Sequence, residues 1–349
     1  MRLSNVILVL SLGGVGATGA IVGCGSDTAT ATGGTSTTGG GGSASTSTGS
    51  DATSGGDPCS PGAQCPQVAS SKCISLADNS AAKQFTLRMA NLTLTAPPAL
   101  TKGLVKGVVQ NGVTMNLAPC NLNGGGTFSW LLQFDTATGM IKTGGGKPAD
   151  DPTKGYSFVD ETIMQGGKAF KIAPFTAPAP ITGGKFAIVK GQDVIVPVYL
   201  DLKAMAVVLL PLHAATLTGT ISPDNDCIGQ YNSKGLDPAG GCLADDKNPS
   251  FIGADGKADS DGKLDGFITL EEADTVIVDA VGQSLCVILS GDAATYGDGG
   301  MPAKCKRDAA MKINFQGDWC QASNDMACKD SVRLQANFSA SGVKSPAGS

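Results

Sequence analysis

The chain has 349 residues, with 25 Lys and Arg against 30 Asp and Glu, one histidine and a net charge of −5. That balance argues against a nucleic-acid binder, which needs clustered Lys and Arg. A single histidine serves zinc ligand sets poorly.

Residues 1–24, "MRLSNVILVLSLGGVGATGAIVGC", carry one positive charge (Arg2), an apolar run and small residues before a cysteine. This is the pattern of an export signal, too short and glycine-rich for a membrane-spanning helix. Ile21-Val22-Gly23-Cys24 resembles the lipobox of bacterial lipoproteins. The resemblance implies removal of residues 1–23 and acylation of Cys24. Gly25 rather than Asp follows, which in Gram-negative lipoproteins implies export to the outer membrane, facing periplasm or exterior. The expected first partner is therefore a membrane, held through several acyl chains. The other reading is an ordinary signal peptide with a chance cysteine.

Residues 24–57 follow as a tether. After Cys24 they hold no apolar side chain larger than alanine, so they cannot bury enough surface to offset chain entropy. Thirty-three flexible residues span on the order of 30 Å.

Ten cysteines remain: Cys59, Cys65, Cys73, Cys120, Cys227, Cys242, Cys286, Cys305, Cys320 and Cys328. An even number in an exported chain predicts five disulfides. No CxxC pair occurs, and no zinc site is expected. Cys227–Cys242 is the favoured pair, because it flanks one glycine-rich loop.

A single β-rich domain is expected over 58–345. From about 84 to 222 the apolar residues recur at period two. Phe85, Leu87 and Met89 share one face, while Leu92 and Leu94 have the opposite parity, which predicts a bulge near Ala90–Asn91. "DVIVPVYLDL" aligns Val194, Val196 and Val198, and Pro197 marks an edge or a bulge. Glycine clusters at 144–147, 166–168 and 183–185 are expected as turns, and none has the spacing that cradles a nucleotide's phosphates. "KAMAVVLLPLHAATL" is apolar on both faces and fits a doubly buried strand or a short core helix. His213 within it reads either as a general base or as a buried, hydrogen-bonded ring.

The segment 223–330 reads as an acidic, disulfide-rich insertion. Residues 224–274 hold twelve acids against four lysines. One helix is predicted at about 270–290, stopped by Gly291. Val332, Leu334, Ala336 and Phe338 then alternate, and the chain is expected to return to the sheet. The predicted fold is mainly β, an antiparallel sandwich or barrel-like sheet of about eight to ten strands, with this α/loop insertion.

"DGKLDGFITLEE", residues 261–272, resembles an EF-hand loop. The resemblance implies calcium as cofactor, held by Asp261, Asp265, the Phe267 carbonyl, Thr269 and Glu272, with Asp259 as a helper. Lys263 stands where the pattern has an oxygen ligand. The competing reading is that Thr269 and Glu272 form a capping box at a helix start.

Together these features are similar to uncharacterised cell-envelope lipoproteins. A binding or structural module with a protein or glycan ligand is the first expectation, a carrier of an apolar small molecule in a β cavity the second. A tethered carbohydrate-active hydrolase is the third: no G-x-S-x-G or HExxH occurs, but a two-carboxylate glycosidase needs neither.

Overall fold

The computed structural model describes residues 73, 75–114, 116–117, 122–123, 125–165, 168–201, 206–229, 236–237, 243–244, 262–294, 301–322 and 328–345. The expected signal, Cys24 and the tether lie outside these residues, as do Cys59, Cys65, Cys120, Cys242, Asp259 and Asp261. All described residues fall in the compact unit Ser54–Ser349.

The longer elements run β1 Gln84–Ala96, α1 Gly103–Val113, β2 Trp130–Asp135, β3 Met140–Gly145, β4 Glu161–Gln165, β5 Lys168–Ile172, β6 Phe175–Pro178, β7 Lys185–Asp201, β8 Ala206–Thr220, β9 Gly262–Thr269, α2 Leu270–Thr275, α3 Leu285–Ser290 and β10 Ser331–Val343. The protein is mainly antiparallel β, built on one nearly closed, barrel-like sheet. Its strand order is β6-β3-β2-β1-β10-β9-β8-β7, and the short strand Cys227–Ile228 adds to β10. β10 returns to the sheet as its alternation predicts, between β1 and β9.

The period-two pattern fixes which side of each strand is buried. Phe85, Leu87 and Met89 of β1 face the core, and so do Val332, Leu334, Ala336 and Phe338 of β10. The β1 register against β10 slips between Met89 and Asn91. That is where the parity of the sequence switches, and it brings Leu92 back to the core. Rings fill the interior: Phe85 stacks on Phe134 at 5.1 Å, and Phe186 meets Phe134 edge-on at 4.9 Å.

The sheet stops short of closure between β6 and β7, and glycine and proline set the seam. A Cβ on Gly144 would lie 2.8 Å from Pro174 Cα, and one on Gly145 would lie 2.6 Å from Pro197 Cγ. These two glycines, expected in a turn, instead end strand β3, where they let the facing edge approach. The expected turn at 183–184 is present, with both glycines at positive φ, and 166–167 lie outside the described residues. Pro197 sits on β7, the last strand of the order. A proline there offers no N–H, which discourages further strand pairing at that edge. The β4–β5 hairpin covers the outer face of β7 and β8 through Ile172, Leu209, Phe170 and Ile195.

Four expectations are corrected. First, α1 occupies a stretch expected to be all β. Val105, Val109 and Val113 recur every fourth residue along it and pack on the core, so helical spacing overrides the β-branched composition. Second, the predicted helix at 270–290 is two helices of six residues. Val276-Ile277-Val278 leave helical geometry, Ile277–Val278 pairs with Gln283–Ser284, and Gly282 turns at φ 63°. Gly291 does end the second helix in the left-handed region.

Third, 223–330 is not helix and loop alone, because β9 lies within it and joins the sheet between β8 and β10. Fourth, Cys227 bonds to Cys73, not to Cys242. The Cys227–Ile228 strand runs antiparallel to β10, and the Leu76 N–H donates to Gly342 O on the same strand, so the segments of Cys73 and Cys227 meet at β10. Cys286–Cys305 and Cys320–Cys328 are the other bridges among the described residues.

Candidate functional site

One row of side chains crosses the outer face of the sheet near the seam. His213 on β8 is opposite Phe267 on β9, and Phe267 is opposite Arg333 on β10. His213 takes the outer face by alternation with Leu212, and a bulge follows it. Leu212 and Ala215 both point into the core, so the strand must absorb an extra residue between them. Ala214 does so at φ 48°, its N–H donating to Asp193 Oδ1 at 3.1 Å. Gly191 makes the room, since a Cβ there would lie 2.7 Å from Ala214 Cα.

His213 is fixed from both sides. Its Nε2 lies 2.9 and 2.8 Å from Glu272 Oε1 and Oε2, and its Nδ1 lies 3.3 Å from Asp193 Oδ1. Glu272 is held in turn by the capping box at the start of α2. Thr269 Oγ1 donates to Glu272 Oε2 at 2.6 Å, and the Glu272 N–H donates back to Thr269 Oγ1 at 3.2 Å. Both ring nitrogens are committed to carboxylates, so neither points into the cleft as a general base would. Of the second expectation for His213, the hydrogen bonding is present, while the ring is half-buried rather than buried.

Rings continue the row. The His213 ring lies 5.4 Å from Phe267 with 30° between planes, and Phe267 lies 6.4 Å from Trp319. The Arg333 guanidinium sits over the Trp319 ring at 5.1 Å. Arg333 also grips Asp265: Nε donates to Oδ1 at 2.9 Å, and Nη2 donates to Oδ2. Gln335 Nε2 donates to the same Oδ2 at 2.8 Å. The hydrogen bonds to Asp265 push the Arg333 guanidinium further above its ordinary range. Trp319 is presented by an irregular segment docked on the start of β10, with Trp319 and Ser331 exchanging backbone hydrogen bonds at 3.0 and 3.1 Å. The Cys320–Cys328 bridge closes that segment.

Beside the row lies the seam cleft, about 380 Å³, open to solvent. Phe170, Pro174, Phe175, Ile195 and Pro211 wall it, and Asp193, His213 and Glu272 form its polar end.

The calcium-loop expectation meets a different geometry in its described part. Gly262–Thr269 is a strand paired with β10 along its whole length. Gly266 makes no sharp turn there. It is a point of close approach, where a Cβ would lie 2.8 Å from Leu212 Cδ1. Asp265 is engaged by Arg333 and Gln335, Phe267 stacks between rings, and Glu272 faces His213. The four described members of the expected ligand set are thus spread along a strand and a helix start instead of converging on one point.

A second polar centre lies behind α2. Asp274 is buried, accepts from Ser284 Oγ at 2.8 Å and from the Cys305 N–H at 2.9 Å, and pairs with Arg307 Nη2 at 3.0 Å. It lies close to the sulfurs of Cys286 and Cys305. Those sulfurs are bonded to each other, and a disulfide sulfur is no thiolate ligand. This centre therefore braces the α2–α3 region.

Sequence reading missed Asp193, Trp319 and Arg333 as members of one site. Trp319 and Arg333 come from segments far from His213, and only the β8-β9-β10 pairing joins them. It also missed Arg88, which is fully buried opposite the core face of β1. Arg88 donates to Ser129 Oγ and to the carbonyls of Met89, Val113 and Phe128 at 2.8–3.1 Å. It ties the end of α1 to the sheet. Position 88 alternates with Leu87 and Met89, so the pattern alone assigns it to solvent.

No protein-family model matches this chain, and neither a curated protein nor a solved structure matches it.

Proposed function

We propose that this protein is an envelope-anchored binding module that holds its ligand outside the barrel, in the seam cleft and along the adjoining row of rings. The observation that carries this reading is where the space is. The barrel interior is occupied by Phe85, Leu87, Met89, Leu132, Phe134 and Phe338, all at most 3% exposed. The concave, mixed apolar and polar surface is on the outside, where ligand sites usually combine apolar walls with a few placed polar groups. The lipobox and the tether support anchorage at the outer membrane with the folded body held away from the bilayer. A filled core speaks against the carrier reading, and the double engagement of His213 speaks against a histidine-based hydrolase.

The test uses the full lipoprotein in mild detergent. Isolated envelope fractions should sediment it, and Phe175→Ala together with Glu272→Gln should weaken that association. Release of a stoichiometric apolar molecule on organic extraction would establish the carrier reading instead. Equal sedimentation of the double variant would remove the cleft from the site.

A further inference from the structure

Resting on the binding-module reading, we infer that the seam cleft takes a small organic cation, an ammonium or guanidinium group carried on an apolar body. The charge at its polar end leads there first. Asp193 and Glu272 both line the cleft, and His213 lies between them. An imidazole carries at most one positive charge, so two carboxylates leave this end net negative in either state of the ring. The cations on these elements are committed elsewhere. Lys171 lines the same cleft, but its ammonium is held by Asp160, and Arg333 is forked onto Asp265.

Acceptor capacity is left as well. Asp193 Oδ1 accepts from the Ala214 N–H and faces His213 Nδ1, and no hydrogen bond among the described residues engages its Oδ2. The Asp193 side chain is 75% exposed, so an incoming N–H reaches it without displacing a protein partner.

The walls decide the rest of the occupant. Phe170, Pro174, Phe175, Ile195 and Pro211 offer hydrocarbon and no countercharge, and charges set against such a surface are screened less than in bulk water. One positive head for the acids and an apolar body for the walls complement this lining. An anion would meet like charge, and a neutral apolar molecule would leave the acids uncompensated. A hard metal ion wants about six or more converging oxygens, and here an imidazole separates the two carboxylates. The cleft volume of about 380 Å³ lies near the lower end of the range for small-molecule pockets, about 300–1,000 Å³, which commits the site to a small molecule.

The experiment is isothermal titration of the full lipoprotein in nonionic detergent with probes of similar shape: phenethylammonium, phenethyl alcohol and phenylacetate. A lysine-rich peptide is the comparator. The ammonium should bind saturably and about tenfold or more tighter than the alcohol or the anion, the scale of one charge-assisted hydrogen bond. Its affinity should fall as salt rises. Asp193→Asn should remove that preference and leave the alcohol unchanged; the amide keeps an acceptor for the Ala214 N–H, so the melting midpoint should hold. Phe175→Ala should weaken ammonium and alcohol alike. Asp150→Asn, exposed and outside the cleft, should change nothing. Where a variant fails to fold, the salt dependence and the ammonium-to-alcohol ratio of the wild type decide. No saturable binding of the ammonium, equal affinity for ammonium and alcohol, or an unaltered preference in folded Asp193→Asn overturns the inference. Peptide binding without amine binding also overturns it, in favour of a lysine side chain of a protein partner. The binding-module reading fails separately, when Phe175→Ala with Glu272→Gln leaves sedimentation with envelope fractions unchanged.

Discussion

Removing the Cys73–Cys227 bridge should be the most damaging single covalent change among the described disulfides. The bridge spans 154 residues of sequence and both sulfurs are buried. In the chain-entropy description, closing a loop of that length lowers the free energy of folding by about 5 kcal/mol. The bridge Cys320–Cys328 spans only 8 residues, for which the same relation gives about 2.5 kcal/mol. The Cys73→Ala, Cys227→Ala double variant should therefore lose roughly twice the stability of Cys320→Ala, Cys328→Ala. For a body of this size, 5 kcal/mol corresponds to a fall of about 10–20 °C in melting midpoint. Calorimetry and guanidinium titration of both variants measure the ratio. Mapping of disulfide-linked peptides from the wild type measures the pairing itself. A peptide joining Cys227 to Cys242, or a larger loss from the short bridge, would refute the reasoning.

Three further outcomes follow from local geometry. Gly145→Ala should destabilise by about 1–3 kcal/mol, because its methyl would collide with Pro197 and force the seam apart; urea unfolding checks this, and an unchanged midpoint would mean the seam is loose. Thr269→Ala should cost about 1 kcal/mol through loss of the cap on α2; it should also free Glu272, so the His213 ring resonances in NMR should move. Asp226 is 3% exposed, and burial first of all pushes its carboxyl up, with the Asn79 N–H hydrogen bond pulling the other way. A raised folded value means that its contribution is fully present at low pH and is lost as pH rises through that value. Asp226→Asn keeps an acceptor for Asn79 and removes the charge, so the variant should lack this loss between acidic and neutral pH. Urea midpoints across that range decide it, and parallel curves for wild type and variant would disprove the assignment.

The sequence by itself determined the strands and their faces. Alternation at Phe85–Met89 and Val332–Phe338 places side chains on the core because period two is a local property of extended backbone. It located the bulge before Asn91 and the capping box at Thr269 for the same reason, since both are decided within a few residues. Pro197 marked an edge because a missing N–H is intrinsic to the residue. What only the tertiary structure decided is who meets whom. The stretch 261–272 resembled a calcium loop by spacing, yet β8 and β10 pair with Gly262–Thr269 on both sides and hold it extended, and Asp265 and Glu272 find partners from elsewhere in the chain. The helix expected at 270–290 broke where a short strand pairing and a left-handed glycine outweighed helical periodicity. Arg88 went inside because the end of α1 and the chain after it brought the carbonyls of Val113 and Phe128 to its guanidinium. The ring row exists because β8, β9 and β10 lie side by side, while Trp319 reaches it through a bridged loop. Contacts between strands depend on sheet order and register, and these are set by the packing of the whole barrel rather than by any window of sequence.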